Sequence, residues 1–392
     1  MRDRLAAVAG IYEYPKRLAP GLSPWQIKAA SAAEALADAG LAWTDVDAVY
    51  DCGDVGQMGG VSLTQYLELR PTVIDSTAVG GSSFEFHVAH ATDAIARGRA
   101  KVALLTYGST ARSQALAIGT GLRAGQAAPP DNMESPWGLT LVGNYALVAT
   151  RHMHQYGTTP EQLAEIAVVA RAHALRNPAA IQGLAAIGIT LKQITVADVV
   201  ASRMIADPLH LLDCCLITDG GGALVLVSPE VAKDIRRPPV WVIGTGEAIG
   251  YVTNDSDITT SAGAQSGPQA FDRAGLRPDE VDIAMIYDSF TITVLTILED
   301  LGFCKKGEGG PFVESRRLRW DSGQRPALNT DGGGLSSNHP GMRGLFLLIE
   351  ATRQLRGEST AQVPGARIAV AHGNGGYLGS RHSAGTILLA KD

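Results

Sequence analysis

Long hydrophobic runs are missing from this chain. Hydrophobic residues make up 45% of it, yet no stretch approaches the roughly 18 uninterrupted apolar residues of a membrane span. The start, Met1 to Ala7, carries charge but no apolar run of signal-peptide length, so a cytoplasmic protein is expected. Cysteine is scarce. Cys52, Cys214, Cys215 and Cys304 form no CxxC pair and no zinc-type spacing, which excludes a disulfide scaffold and gives no metal site. Basic runs are absent and the net charge is −6, which argues against nucleic acid as a partner. Neither a Walker-type loop nor GxGxxG occurs, so no nucleotide-cradling motif is present.

What the chain has is glycine, 45 residues in 392, placed between alternating short apolar runs and helical patterns. Leu5–Ile11 reads as a strand, Ser23–Ala39 as a helix, Ala48–Asp51 and Thr72–Ser76 as strands, Ser82–Arg97 as a helix and Val102–Tyr107 as a strand. That alternation predicts α/β architecture with strands buried between helices. Ala39-Gly40-Leu41 and Val46-Asp47 recur as Ala274-Gly275-Leu276 and Val281-Asp282 at a constant offset of 235. Each copy ends a helix with glycine at the cap and drops into an apolar strand. The helix Met342–Leu355 before the strand Arg367–Ala371 mirrors the helix and strand at Ser82–Tyr107. Two duplicated halves are expected, 1–235 and 236–392, with Arg236-Arg237-Pro238-Pro239 as linker. A lid-like insertion, about 109–208, interrupts the first. It holds a Gly/Pro-rich stretch, Gly119–Pro130, and helices at Leu141–Gln155 and Leu163–Asn177, the latter started by Thr159-Pro160-Glu161-Gln162. It reads equally as a substrate-facing layer or a subunit contact.

Two histidines stand in glycine-bordered segments, where backbone can approach a ligand closely. Asn338-His339-Pro340-Gly341 follows Asp331-Gly332-Gly333-Gly334-Leu335 and opens an apolar helix; Ala371-His372-Gly373-Asn374-Gly375-Gly376 follows near the C-terminus. His339 is a candidate donor to a developing oxyanion, and otherwise a cap on the next helix. His372 is the candidate general base, and otherwise a structural hydrogen bonder. Ser82 and Ser83 lack an evident base and read as N-caps before nucleophiles. Glu85, His87 and His90 do not share one helix face, so no metal is expected there. Cys214 and Cys215 read as small buried hydrophobes.

These segments, with Asp213-Cys214-Cys215 leading to Asp219-Gly220-Gly221-Gly222, resemble the thiolase superfamily over nearly the whole chain. The likeness is narrower to sterol-carrier-type thiolases and thiolase-like lipid-transfer proteins. The resemblance implies a five-layered α-β-α-β-α fold with Ser82–Arg97 and Met342–Leu355 as buried central helices. It implies coenzyme A as part of the substrate rather than as a bound cofactor, a homodimer, and a pantetheine channel bordered by Gly244–Gly250. Thiolases carry a nucleophilic cysteine at the head of the first central helix; Gly81, before Ser82, stands there, and both residues are carried over as substrate-binding. His372 matches the histidine that sterol-carrier-type members place in the C-terminal loop, whose Gly375 borders the substrate. Asn338 is carried over as substrate-binding with His339. Tyr287-Asp288-Ser289-Phe290 replaces the family's Asn-Glu-Ala-Phe or His-Asp segment, which makes Tyr287 a candidate proton carrier or oxyanion donor; Tyr377 is a second. Cysteine-poor relatives include aldolases of steroid side-chain breakdown that work with a small zinc-ribbon/OB-fold partner, with a tyrosine expected near the place of His339. The resemblance thus implies retro-aldol cleavage of a β-hydroxyacyl-CoA. A thiolase-like acyltransferase or condensing enzyme and a non-catalytic acyl-CoA or lipid binder are the alternatives.

Overall fold

The computed structural model describes residues 4–53, 58–115, 140–253 and 256–392. The stretch expected at Gly119–Pro130 lies outside the described residues. Twelve strands are present among them: β1 Ala6–Glu13, β2 Ala48–Tyr50, β3 Val73–Asp75, β4 Val102–Ser109, β5 Met204–Ala206, β6 Leu209–His210, β7 Gly220–Val227, β8 Val240–Tyr251, β9 Ile283–Ile286, β10 Ala327–Leu328, β11 Ile368–Tyr377 and β12 Arg381–Ala390. Ten of them hydrogen-bond in the order β10-β9-β11-β12-β8-β1-β7-β4-β2-β3, while β5 and β6 form a separate pair.

That order contains the duplication. From the centre outward, β1-β7-β4-β2-β3 and β8-β12-β11-β9-β10 repeat one pattern, antiparallel for two steps and parallel for the next two. A short antiparallel ladder, Ala6↔Val242 to Val8↔Val240, joins them. The helices Pro24–Ala39 and Gly263–Ala274 occupy matching places, each ending on a glycine in the left-handed region, Gly40 at φ 76° and Gly275 at φ 61°. Ser23 caps the first with a complete capping box. Both outer helices lie so close to their strands that no side chain fits beneath them. A Cβ on Gly10 would stand 2.0 Å from the carbonyl oxygen of Ala35, and one on Gly244 2.3 Å from that of Ala270.

The central helices, Ser83–Ala96 and Gly344–Arg356, pack on each other and on strands of both halves. Phe84, Val88, Leu345 and Ile349 close this inner core against Val8, Leu105, Met285 and Ile387. With the outer helices on the far faces, five layers result. Strands such as Gly220–Val227 are buried along their whole length, which is why their sequences are apolar runs rather than alternations. Between β4 and β7 lie the helices Leu141–Tyr156 and Pro160–Ala174, the second capped by Thr159 as its sequence predicts.

Candidate active site

The catalytic candidates converge where β9 ends. Tyr287 follows that strand, and its backbone N–H still donates to His372 O at 2.9 Å. Its phenol meets His339 Nε2 at 3.1 Å, the two rings lying edge to face 5.6 Å apart. His339 is delivered by the segment 331–343, which wraps a fully buried guanidinium. Arg343 Nη2 donates to both carboxylate oxygens of Asp331, at 2.8 and 2.6 Å, and Nη1 donates to Asn338 O at 2.9 Å. Its Nε stands 3.2 Å from Asp288, the residue after Tyr287. Asp288 in turn accepts the N–H groups of Gly334 and Leu335. Gly333 is at φ 69°, and a Cβ there would lie 2.0 Å from Asp288 Oδ2, so only glycine permits this turn. One buried salt-bridge network therefore fixes both partners of the tyrosine–histidine pair.

Gly81 explains why the pair can sit here. A Cβ on Gly81 would fall 2.3 Å from Tyr287 Cε2, 2.6 Å from Cζ and 2.4 Å from the backbone oxygen of Asn374. The ring of Tyr287 occupies the space a cysteine side chain would need. The hydroxyls beside it are engaged. Ser82 Oγ shares a 2.6 Å hydrogen bond with Ser383 Oγ, while Ser83 Oγ donates to Gly80 O and accepts from Val79 N.

A cavity of about 520 Å³ opens over this pair. Its walls are mostly apolar, with Leu141 and Val142 from the insertion, Leu211, Ile217, Phe290 and Met342. Gly81, Tyr287 and His339 line it together, as does Tyr377. Burial, and then the charge of Arg343, pulls the His339 pKa down to about 4, so its imidazole is neutral near pH 7. Burial raises Tyr287 well above the usual phenol value, so it stays protonated. A neutral acceptor next to a protonated phenol is an arrangement through which a proton can pass.

Four expected site residues stand apart from the cavity lining. His372 lies within β11, not in a loop, and is wholly buried. Its Nδ1 pairs with Thr386 Oγ1 at 2.8 Å, and a Cβ on Gly263 of the outer helix would lie 3.2 Å from its ring. Neighbours Ala371 and Gly373 face the inner core, so strand alternation turns His372 the other way. Asn338 faces Thr218, whose hydroxyl donates to its Oδ1 at 2.7 Å. Ser82 is held by Ser383, and Gly375 packs on Val79 O. Among the lining residues that the sequence does not single out are Tyr145 and Asn374. Tyr145 stands on the buried face of the helix Leu141–Tyr156, its ring 4.6 Å from Phe290. Asn374 is the one amide side chain in the His372–Gly376 run, which was the available signal.

Fold and site together define a thiolase-like protein with a phenol in place of the nucleophilic thiol. Residues 244–390 match the family described as "Thiolase C-terminal domain-like". The steroid side-chain-cleaving aldolase of Thermomonospora curvata is 34% identical over 91% of this chain and 92% of that protein. The 17-hydroxy-3-oxo-4-pregnene-20-carboxyl-CoA lyase of Mycobacterium tuberculosis is 32% identical over 94% and 96%. A solved structure, an Ltp2-ChsH2(DUF35) aldolase, superposes with a TM-score of 0.86 at 31% identity, covering 99% of this chain and 98% of that one. The chain belongs to the thiolase superfamily. Among the described residues no group of three or more histidine, cysteine or acidic side chains could hold a metal ion, and no helix is long and apolar enough to cross a membrane.

Proposed function

We propose that this protein is an acyl-CoA aldolase that cleaves a β-hydroxyacyl-CoA without an acyl-enzyme. The observation that carries the reading is the Tyr287 ring filling the space over Gly81 with its hydroxyl on His339 Nε2. The substrate β-hydroxyl passes its proton to Tyr287 Oη while the tyrosine proton moves to His339 Nε2. The carbonyl forms at the β-carbon, the Cα–Cβ bond breaks, and its electron pair enters the thioester as an enolate. Return of the proton to Cα through the same pair releases a ketone or aldehyde and a shortened acyl-CoA. Neither residue need carry a lasting charge, which suits groups this deeply buried. The imidazolium formed in passing stands beside the developing enolate and offsets its charge.

This reading moves the base from His372 to His339 acting through Tyr287. It makes coenzyme A part of the substrate, with no permanent cofactor. The apolar cavity suits a bulky hydrocarbon acyl group of the steroid side-chain class that the relatives' names give. A homodimer and a small zinc-ribbon/OB-fold partner belong to the proposal, the partner supported by the two-component name of the superposing aldolase. The tied hydroxyls of Ser82 and Ser83 weigh against acyl transfer through serine.

The test is incubation with β-hydroxyacyl-CoA esters, with and without such a partner, followed by detection of the carbonyl product and the shortened acyl-CoA. Tyr287→Phe is expected to lower kcat by about 10²–10⁴-fold, the usual range for a positioned proton-transfer group, at an unchanged melting temperature. No carbonyl product under either condition ends the proposal.

A further inference from the structure

The cavity contains a polar group that proton transfer at Tyr287 and His339 leaves unused. Asn374, on β11, is 2% exposed and lines the cavity. Its Nδ2 donates to Tyr145 Oη at 2.9 Å, and Tyr145 Oη donates to Gly376 O at 3.2 Å. With its one proton on Gly376 O, the tyrosine hydroxyl accepts from the amide, which orients the Asn374 nitrogen toward Tyr145; the Ser289 side chain is a further partner of the same hydroxyl. The side-chain oxygen Oδ1 is left buried with no hydrogen-bond partner among the described residues. A buried carbonyl oxygen held in one orientation and left unmet is a receptor for a donor that arrives with the ligand. The backbone oxygen of the same residue converges with the Tyr287 ring on Gly81, so this acceptor belongs to the wall beside the reacting pair.

Resting on the aldolase reading, we infer that Asn374 Oδ1 receives the amide N–H of the pantetheine arm nearest the thioester sulfur. An acyl-CoA brings two donors near its thioester. In the proposed reaction the β-hydroxyl proton goes to Tyr287, which leaves the cysteamine amide, a few bonds beyond the sulfur. Asn374 is then a specificity-determining residue for carrier thioesters. It anchors the arm so that the acyl portion lies against Tyr287 and His339, and it disfavours thioesters with no amide at that position. Tyr145 acts through Asn374 as a positioning residue.

The probe is a pair of β-hydroxyacyl thioesters differing at one position. One is the N-acetylcysteamine thioester; the other is its ketone isostere, in which a methylene replaces the amide nitrogen. The unsubstituted protein is expected to favour the amide by about tenfold or more in Kd and in kcat/KM, since a site built around a hydrogen bond rejects the analogue lacking it. Asn374→Leu is expected to bring the ratio close to one while the isostere retains its affinity, and Asn374→Asp, which keeps an acceptor, preserves the preference. Tyr145→Phe frees the amide to turn and lowers the ratio; it carries the test if Asn374→Leu does not fold. A ratio unchanged by these variants, or equal weakening of both thioesters, overturns the inference, the second being what a purely structural asparagine gives. Cleavage of the amide thioester with a ratio indifferent to Asn374 removes this contact alone. Absence of cleavage counts against the aldolase reading, while the Kd ratio still reports on Asn374.

Discussion

At Gly81 any side chain would share space with the Tyr287 ring, so the loss of the thiol and the arrival of the phenol are one structural change seen from two positions. Gly81→Ala is expected to push the ring off His339 Nε2. Overpacking costs about 1–3 kcal/mol of stability, and misplacement near 1 Å lowers kcat/KM about a hundredfold; denaturant titration and steady-state kinetics read the two. His372 gives the converse prediction. Its place between Thr386 and the outer helix leads us to expect kcat/KM within about threefold of the parent for His372→Ala, as for a residue apart from the reacting atoms, and a larger loss would return it to the chemistry. Glu85 supplies a pH test. Neither carboxyl oxygen meets another residue's donor among the described residues, a Cβ on Gly373 would lie 2.1 Å from Oε2, and burial raises its pKa well above 4.5. The folded state thus holds a proton that the unfolded chain releases. The stability this contributes is fully present below pH 4.5 and is lost as pH rises through the folded pKa. Glu85→Gln should match the parent in thermal unfolding near pH 4 and exceed it at about pH 8. An identical gap at both values would mean that Glu85 is ionised in the fold.

The segment 331–343 shows how one buried cation organises an element with little regular structure. Arg343 holds Asp331, Asp288 and Asn338 O together, and burial lifts Asp288 to about 6 even against that positive charge. Arg343→Met leaves two buried carboxylates without their cation, and a loss of about 3–5 kcal/mol is expected, with cleavage failing because His339 rides on the same segment. Stability within about 1 kcal/mol of the parent would show that the loop is held some other way. The same scale shows what the sequence made legible. Helix starts at Ser23 and Thr159 and helix ends at Gly40 and Gly275 were readable because caps are local chemistry. Glycine normally punctuates, so the run Ala371–Gly376 reads as a loop in the sequence. It is strand, paired with β12 as far as Tyr377↔Arg381. Its glycines serve close approach, since a Cβ on Gly375 would lie 2.0 Å from Val79 O, a neighbour nearly three hundred positions away. His372 and Asn374 project from the same face of β11, but His372 meets Thr386 and the outer helix while Asn374, two residues further on, reaches Tyr145 and the cavity. Only long-range packing contained that information. His339 and Tyr287 were identifiable as candidates, but not as partners of one another.

Over the whole molecule, the duplication sets the outline while the central helices set the cooperativity. Taken as repeats divided at 235/236, the halves have the same strand order, yet neither encloses its own core. The helix Ser83–Ala96 packs on strands β11 and β12 as well as on β4 and β7, and Gly344–Arg356 likewise reaches β1 and β7 from the other half. Phe84 and Leu345 belong to one continuous cluster that draws on both. Separating the halves would expose that cluster to water, at roughly 25 cal/mol per Å² of apolar surface. The repeats are therefore expected to unfold as one unit. Hydrogen exchange on the intact chain should give the β4 and β11 amides the same opening free energy. Phe84→Ala, which removes a buried ring at a cost of about 3–5 kcal/mol, should lower protection on β11 and β12 as much as on β4 and β7. A loss confined to the first half would mean that the halves open independently, and that the pocket, whose Gly81 comes from one half and Tyr287 and His339 from the other, could open without the protein unfolding.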